Sequence, residues 1–165
     1  MFDNEIICRC GKKGCLETEV SGSALHRILC EKVKSGQSSI LSKRILTEET
    51  SVTLEEIVDA TNKEDILCIE LVEEIGRKLG RYLAGLINLF NPELVVIGGT
   101  LALTEDYILQ PIKTAIRKYS LNLVSKDSAV VLSKLQAKAG VIGACLLSRS
   151  NYLNGNLNAS IRELL

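Results

Sequence analysis

Three cysteines near the start of the chain are its most reactive closely spaced residues. Cys8, Cys10 and Cys15 fall within eight residues, with Gly11 and Gly14 between them. Glycine permits the tight turns that bring such closely spaced side chains together. Thiolates favour zinc, and a tetrahedral structural zinc site takes four ligands, of which this stretch supplies three. The pattern therefore predicts a structural zinc knuckle over residues 8–15.

Two simpler interpretations of these cysteines stay open. The thiols could be unrelated buried side chains, or two of them could form a disulfide. A Cys-x-Cys disulfide closes a small and strained ring, which disfavours the second alternative. His26 and Cys30, four residues apart on a predicted helix, are further candidates for the fourth ligand, although helical spacing alone does not bring them to the knuckle.

Composition limits the class of protein. The 165 residues are 46% apolar and only 4% aromatic, so one domain with an aliphatic core is expected. Twenty basic residues balance twenty acidic ones, which predicts no direct contact with nucleic acid and no attraction to an anionic membrane. No segment has the pattern of a membrane span or of a signal peptide. Because Cys30, Cys68 and Cys145 lie in apolar helix-like segments, we expect reduced thiols and a cytoplasmic protein.

The first half of the chain is predicted to be helical. An apolar face that follows Ser23 and ends at Gly36 predicts a helix capped by that serine. The polar stretch 37–52 predicts short helical turns, and a Thr-x-x-Glu capping box predicts a short helix over residues 54–61. Further strands of the sheet are expected within residues 1–7, or near Val20, or from a part of the protein outside this chain, and residues 2–7 are a candidate hairpin arm leading into the knuckle.

A long helix is predicted over residues 64–90. Its three glycines, Gly76, Gly80 and Gly85, each cost about 1 kcal/mol against alanine. Glycine at such positions predicts close approach by another backbone, either within this chain or across a two-fold axis, and an unoptimised surface helix is the alternative. Asn91-Pro92 predicts the end of the helix. The predicted apolar stripe consists of Ile69, Val72, Ile75, Leu79, Leu83, Leu86, Ile87 and Phe90.

Strands and helices alternate in the second half. Residues 94–97 and 129–132 are apolar without polar alternation, which predicts two fully buried strands. A helix is expected from about residue 104, broken or restarted at Pro111, and a last helix over 137–152. This order is typical of an α/β layer with parallel strands.

Paired glycines follow the first of these strands. Gly98 and Gly99 precede a predicted helix, and such a turn lets backbone amides approach a phosphate or a ribose. The same glycines could serve the turn alone.

Residues 8–17 read Cys-x-Cys-Gly-x-x-Gly-Cys-x-Glu and are followed by Ser21-Gly22-Ser23. This pattern resembles the ROK family of bacterial repressors and sugar kinases, and residues 88–99 and 139–144 resemble the family as well. The resemblance implies an α/β fold, the C-terminal lobe of the actin-like ATPase (ribonuclease H-like) fold, over residues 1–153, with a tail at 154–165. It also implies structural zinc on Cys8, Cys10 and Cys15 with a histidine upstream as fourth ligand, sugar hydroxyls on Glu17, and nucleotide at Gly98 and Gly99.

Two functions follow from that resemblance. One is the sugar-sensing and dimerisation domain of a ROK transcriptional regulator, binding a sugar or amino sugar as a homo-oligomer. The other is part of an ATP-dependent sugar kinase of the glucokinase or N-acetylhexosamine kinase type, with ATP as cofactor only in that case. Thr100, where family kinases often have a third glycine, favours the regulator. The family's phosphate loop and catalytic aspartate are not found among these residues, so we expect no kinase activity from this chain. A purely structural zinc-stapled module is the third alternative.

Overall fold

Helices dominate the part of the chain that the computed structural model describes, residues 4–47, 51–121, 127–135 and 138–153. The chain divides into two units, Met1–Ser133 and Lys134–Leu165. The first unit contains the helices α1 Glu17–Val20, α2 Gly22–Lys34, α3 Ser42–Thr47, α4 Leu54–Asn62, α5 Ile66–Phe90 and α6 Asp106–Tyr119, the strands β1 Leu94–Ile97 and β2 Ala129–Leu132, and a 3-10 helix Thr100–Thr104. The second unit contains α7, Ala139–Leu153. The expected tail at 154–165 and the first residue of the predicted last helix, Ala137, lie outside the described residues.

Capping residues set the helix ends. Thr53 and Glu56 form both halves of the predicted capping box on α4. The cap of α2 is Ser21, two residues before the predicted Ser23, and its side chain accepts a hydrogen bond from Ala24 N. Asn91 ends α5 in the left-handed conformation, at φ 44°, as the Asn-Pro pair predicted.

Helices α5 and α6 approach each other closely at two glycines of α5. A Cβ atom built on Gly80 would lie 2.5 Å from the carbonyl oxygen of Ile112, and one on Gly76 would lie 3.0 Å from that of Ile108. The predicted close approach is therefore confirmed at these two glycines. Gly85 has no such neighbour, since a Cβ there would meet nothing within 4 Å among the described residues of this chain.

Helix α6 is continuous through Pro111, so the predicted break is wrong. Proline removes one backbone hydrogen bond from a helix interior. Its ring lies against α5, where a Cβ on Gly76 would come within 3.0 Å of Pro111 Cβ. Packing against α5 thus keeps α6 helical through the proline.

The core of the first unit lies between α2, α4, α5 and α6. Of the predicted stripe on α5, Val72, Ile75 and Ile87 are buried, whereas Leu86 and Phe90 are 50% and 70% exposed. The buried face turns toward α6 and includes the two glycines, which hydropathy does not mark as core positions. The largest fully buried aliphatic side chains are Leu25, Leu29, Ile57, Val72, Ile75, Ile87, Ile108 and Ile112.

The two strands pair in parallel, as predicted, from Leu94 opposite Ala129 to Ile97 opposite Leu132. Full burial is wrong for both, because exposed and less exposed residues alternate along β1 and only Val130 is buried on β2. The less exposed residues, Val95 and Ile97 among them, pack against the core and the opposite face does not. Within the described residues the remaining β pairing is one antiparallel bridge between Ile7 and Lys13, and Val20 is helical.

The described residues include no helix that combines the length and the apolar character needed to cross a membrane. Their six cysteines are all unpaired thiols. Cys68 is buried and Cys30 is half-buried, close to the expectation for both, whereas Cys145 is exposed on α7.

Candidate functional site

Two glycine turns fold residues 8–15 into a knuckle. Cys8 N donates to the carbonyl of Lys12 and Gly11 N donates to the carbonyl of Cys8, both at 2.8 Å. Gly11 and Gly14 have φ angles of 80° and 68°, in the left-handed region that favours glycine. The cysteines on either side therefore converge, as their spacing predicted.

The three sulfur atoms of the knuckle form a potential metal site. The Sγ atoms of Cys8, Cys10 and Cys15 lie within 4.8 Å of one another, and those of Cys10 and Cys15 are 3.5 Å apart. Sulfur ligands about 2.3 Å from a tetrahedral zinc ion are separated by about 3.8 Å, so this spacing fits one ion. No other group of three histidine, cysteine or acidic side chains in the described part of the chain converges in this way.

His26 is not part of this cluster. Its Nε2 atom lies 3.8 Å from the sulfur of Cys30, four residues along α2. The helical pairing of these two side chains was predicted from their spacing, but the structure does not bring them to the knuckle cluster. His26 and Cys30 instead line a separate cavity with residues of α2, α3 and the segment that precedes α4.

The knuckle thiols differ in acidity because they share hydrogen bonds. A backbone hydrogen bond at Lys12, followed by the thiols of Cys15 and Cys8, lowers the pKa of Cys10. The hydrogen bond with Cys10, followed by desolvation, raises the pKa of Cys15 to about 11. Cys10 therefore ionises before Cys15, and a cation is needed to favour a second thiolate beside it.

Glu17 is the first residue of α1, directly after the knuckle. The amide and hydroxyl groups of Thr18 donate to the carbonyl of Cys15 at 3.2 and 2.7 Å, which ties α1 to the last cysteine. Glu17 is exposed, and its carboxylate makes no hydrogen bond or ion pair with another described residue, while its backbone carbonyl accepts from Ser21 N at 3.3 Å. It lines a cavity of about 160 Å³ with Ile6, Ile7, Cys8, Arg9, Thr18, Ser23, Ala24 and Arg27.

Arg27 is a member of this cavity that the sequence interpretation missed. Its guanidinium donates to the carbonyl of Thr18 at 3.1 Å and to Glu31 at 3.1 and 3.3 Å. The sequence did contain a signal for Arg27. It lies four residues after Ser23 on α2, and residues four apart on a helix share a face, so both could have been expected to line the same cavity. Arg27 places a cation and hydrogen-bond donors in the same cavity as the Glu17 carboxylate.

The paired glycines lie at the carboxyl end of β1. Gly99 has a φ of 86° and caps the 3-10 helix that starts at Thr100, and Gly98 and Gly99 are both exposed. A Cβ on Gly98 would lie 3.8 Å from Ser133 Cβ, and one on Gly99 would meet nothing within 4 Å. The backbone of this turn is open at the sheet edge where α/β proteins bind ligands. Neither glycine lines the cavity that contains Glu17.

Curated relatives include both regulators and kinases. The chain is 35% identical over 156 residues to the DNA-binding transcriptional dual regulator NagC of Escherichia coli K12, covering 94% of this chain and 37% of NagC. It is 35% identical over 136 residues to a glucokinase of Halalkalibacterium halodurans, covering 82% of this chain and 41% of the glucokinase. The chain thus spans about two fifths of the length of these relatives.

Solved structures give the same two classes. A ROK family transcriptional regulator described as a homologue of the E. coli MLC protein matches 80% of this chain and 32% of its own, with 30% identity and a TM-score of 0.70. A ROK glucokinase from Streptomyces griseus in complex with glucose and AMPPNP matches 88% of this chain and 47% of its own, with 27% identity and a TM-score of 0.74. The ROK family model itself matches residues 1–151. The α/β chain described above therefore belongs to the ROK family.

Proposed function

We propose that this chain is the sugar-sensing and dimerisation domain of a ROK transcriptional regulator, the C-terminal lobe of an actin-like ATPase fold over residues 1–153. The single observation that carries the proposal is that Cys8 of the knuckle and the unpaired carboxylate of Glu17 line one cavity. The turns of the knuckle hold one side of this cavity in place, and the Glu17 carboxylate beside it is free to accept hydrogen bonds. Such an arrangement favours binding, since preorganised groups lose little conformational freedom when a ligand binds.

The ligand in this proposal is a sugar or an amino sugar. In this proposal the two oxygens of the Glu17 carboxylate accept hydrogen bonds from adjacent hydroxyl groups of the sugar. The guanidinium group of Arg27, in the same cavity, donates hydrogen bonds to sugar oxygens. Relatives of the chain are named N-acetylglucosamine repressors, and the S. griseus glucokinase contains glucose. N-acetylglucosamine and glucose are therefore the first ligands to test.

Zinc on Cys8, Cys10 and Cys15 is the metal in this proposal. Its role is structural, because Cys8 lines the cavity and the carbonyl of Cys15 binds Thr18 of α1. Water or a ligand outside the described residues completes the four positions. Elemental analysis of protein purified without chelator is expected to find close to one zinc per chain. A zinc content near zero, with all three thiols reactive, would contradict the assignment.

The sugar site is tested by calorimetric titration of the purified chain with N-acetylglucosamine and glucose. Glu17→Gln removes the charge and is expected to weaken binding at least tenfold, since hydrogen bonds to a charged group are worth about 1.5–3 kcal/mol. Glu70→Gln is the matched control, because Glu70 is exposed on α5 and does not line the cavity. Equal affinity of the wild type and Glu17→Gln would contradict the proposal.

A sugar kinase is the second candidate, and the open Gly98-Gly99 turn favours it. In that case the backbone of the turn approaches ATP, and Glu17 holds the sugar that is phosphorylated. We expect no ATP-dependent turnover of glucose or N-acetylglucosamine in a coupled assay with this chain. Turnover that Glu17→Gln abolishes and Glu70→Gln preserves would establish the kinase instead.

We also propose that the chain forms a homodimer in the cytoplasm. Three apolar side chains at the end of α5, Leu86, Leu89 and Phe90, are at least 50% exposed. Such a patch is suited to a second copy of the chain. Light scattering at low micromolar concentration is expected to give twice the 18.0 kDa chain mass. A monomer at that concentration would remove dimerisation from the proposed function.

A further inference from the structure

A positively charged groove runs between α5 and α6, apart from the knuckle. It has a volume of about 420 Å³, within the range of small-molecule sites. No residue of this groove lines the cavity that contains Glu17. The residues that line it are Glu74, Arg77, Lys78, Arg81, Thr114, Ala115, Lys118 and Tyr119.

Two of the four cations in the groove are neutralised by carboxylates. Arg77 pairs with Glu73 at 3.2 Å, and Lys78 pairs with Glu19 and Glu74 at 2.9 and 3.1 Å. Both pairings use acidic groups that already lie on α5 or α1. The neutralised cations therefore serve the fold.

The other two cations are not neutralised. Arg81 and Lys118 lie over the ring of Tyr119, each 5.4 Å from its centre, and neither forms an ion pair with a carboxylate of the described residues. Tyr119 thus holds a guanidinium and an ammonium group together by cation–π attraction. Their mutual repulsion makes the pair a favourable place for an anion, in a chain whose formal net charge is zero.

We propose that this groove binds a small phosphate ester through Arg81 and Lys118. The planar guanidinium of Arg81 matches two phosphate oxygens, and Lys118 adds a second charge. Thr114 and Tyr119 line the same groove, and each carries a hydroxyl group that can act as a neutral donor. The cations are confined to short stretches of two helices, which suits one phosphate group rather than the extended backbone of a nucleic acid.

The experiment measures phosphate binding to the purified chain at low ionic strength by calorimetry. The probes are inorganic phosphate, glucose 6-phosphate and glucose, so that a free phosphate site, a phosphate ester site and a sugar site give different results. We expect the groove to bind glucose 6-phosphate with a higher affinity than inorganic phosphate. Weaker binding of the ester than of inorganic phosphate, or no binding of either at millimolar concentration, would overturn the proposal.

Arg81→Gln and Lys118→Gln are each expected to weaken ester binding at least tenfold. The control is Arg117→Gln, which removes the same charge from exposed α6 surface outside the groove and is expected to change binding less than twofold. Equal loss in the control would assign the effect to the general field of the protein and overturn the site. Arg81→Gln and Lys118→Gln are expected to leave the affinity for glucose itself unchanged, because neither residue lines the Glu17 cavity, and this separates the groove from the proposed sugar cavity. Lys78 is left intact because its ion pair with Glu19 joins α5 to α1.

Discussion

In the α5–α6 pair, two backbones meet at Gly76 and Gly80, where a Cβ atom would be tight at the first glycine and has no room at the second. In the knuckle, two glycines instead adopt left-handed turns, and three sulfur atoms converge at a largely exposed site. The buried apolar core includes residues of α5 and α6 and none from residues 4–16. The first region is thus held by packing, and the second by local turns and by any ion that its thiols bind.

This difference predicts where substitutions act. A change in the packed pair is expected to lower the free energy of unfolding of the whole first unit, since interiors are close-packed and transmit strain. A change in the knuckle is expected to alter chemistry and local opening, because exposed segments with few buried contacts open without global unfolding. Four substitutions test this contrast, taken from the largest expected loss of stability to the smallest.

Gly80→Ala is expected to be the most destabilising. Its Cβ would lie 2.5 Å from the carbonyl oxygen of Ile112, and a backbone atom cannot move aside by changing rotamer. Overpacking of this kind costs about 2–3 kcal/mol. Urea unfolding followed by circular dichroism measures the loss.

Gly85→Ala on the same helix is the matched control for that substitution. Nothing described lies within 4 Å of its Cβ, so alanine is expected to stabilise α5 by about 0.5–1 kcal/mol through helix propensity. Destabilisation by both alanines to the same extent would contradict the packing argument.

These glycines also show what sequence can predict. Local signals were sufficient for the Thr53–Glu56 capping box and for convergence of the three cysteines, because each depends on neighbours in the chain. Close approach was predicted equally for Gly80 and Gly85, yet only Gly80 faces α6. Which helix a position faces is decided by tertiary packing, which a single sequence does not display.

The same limit explains the other errors. Pro111 was expected to interrupt α6 on local grounds, and packing against α5 overrides that preference. Arg27 enters the Glu17 cavity because α1 and α2 fold together, which no motif reported. The knuckle cysteines could therefore be predicted from the sequence, but the set of residues that lines the Glu17 cavity could be found only from the structure.

Asp65→Ala is expected to have the next largest effect, about 2 kcal/mol. The Asp65 carboxylate is buried, caps α5 through Cys68 N at 2.9 Å, and accepts from Ile40 N at 2.7 Å. Alanine leaves both amides without their partner. Urea unfolding at pH 7 measures the loss, and Asp65→Asn, which keeps a side-chain oxygen, is expected to lose less.

Asp65 also predicts a dependence on pH. Burial alone would raise the pKa of its carboxyl group, but hydrogen bonds from the amides of Cys68 and Ile40 lower it below 3.8. The contribution of Asp65 to the free energy of unfolding is therefore complete above the pKa that its carboxyl group has in the unfolded chain. It is lost as the pH falls through the lower pKa of the folded protein. Asp65→Asn should not show this loss of stability at acidic pH, because asparagine does not titrate. The same slope of stability against pH in Asp65→Asn and wild type would contradict the assignment.

The ion pair between Lys78 and Glu19 connects the two regions, since α1 follows the knuckle and Lys78 lies on α5. The side chains are 31% and 14% exposed, so Lys78→Met is expected to cost about 1–2 kcal/mol by leaving Glu19 without its cation. Lys63→Met, at an ion pair whose side chains are 65% and 62% exposed, is expected to cost less than about 0.5 kcal/mol. Equal costs would contradict the argument from burial.

The pair also has a pH window. Burial alone would raise the pKa of Glu19, but Lys78 and then Asn4 lower it, so its contribution is lost as the pH falls through the folded value. Burial alone would lower the pKa of Lys78, but Glu19 and Glu74 raise it, so its contribution is lost as the pH rises through the folded value. The cost of Lys78→Met is therefore expected to be greatest between about pH 5 and pH 10.

Cys15→Ser is expected to have the smallest effect on global unfolding and the largest on thiol chemistry. Cys15 contributes nothing to the buried core, so its urea midpoint should match that of the wild type. Loss of one ligand should release the zinc proposed above and raise the rate at which Cys8 and Cys10 react with a thiol reagent by at least about tenfold. Treatment of the wild type with a chelator should reproduce that rate without moving the midpoint.

Cys68→Ser is the matched control in the packed region. Cys68 is fully buried on α5, and burial first, followed by Asp65, raises the pKa of its thiol to about 12. Serine there replaces a buried sulfur by a smaller oxygen beside Asp65 and Ser39, and the lost packing should lower stability by about 1 kcal/mol while the reactivity of the knuckle thiols stays unchanged. Cys15→Ser is thus expected to change the reactivity of the knuckle thiols without changing the stability of the first unit, and Cys68→Ser is expected to do the opposite. A lower urea midpoint for Cys15→Ser than for Cys68→Ser would show that the knuckle is part of the cooperative core after all.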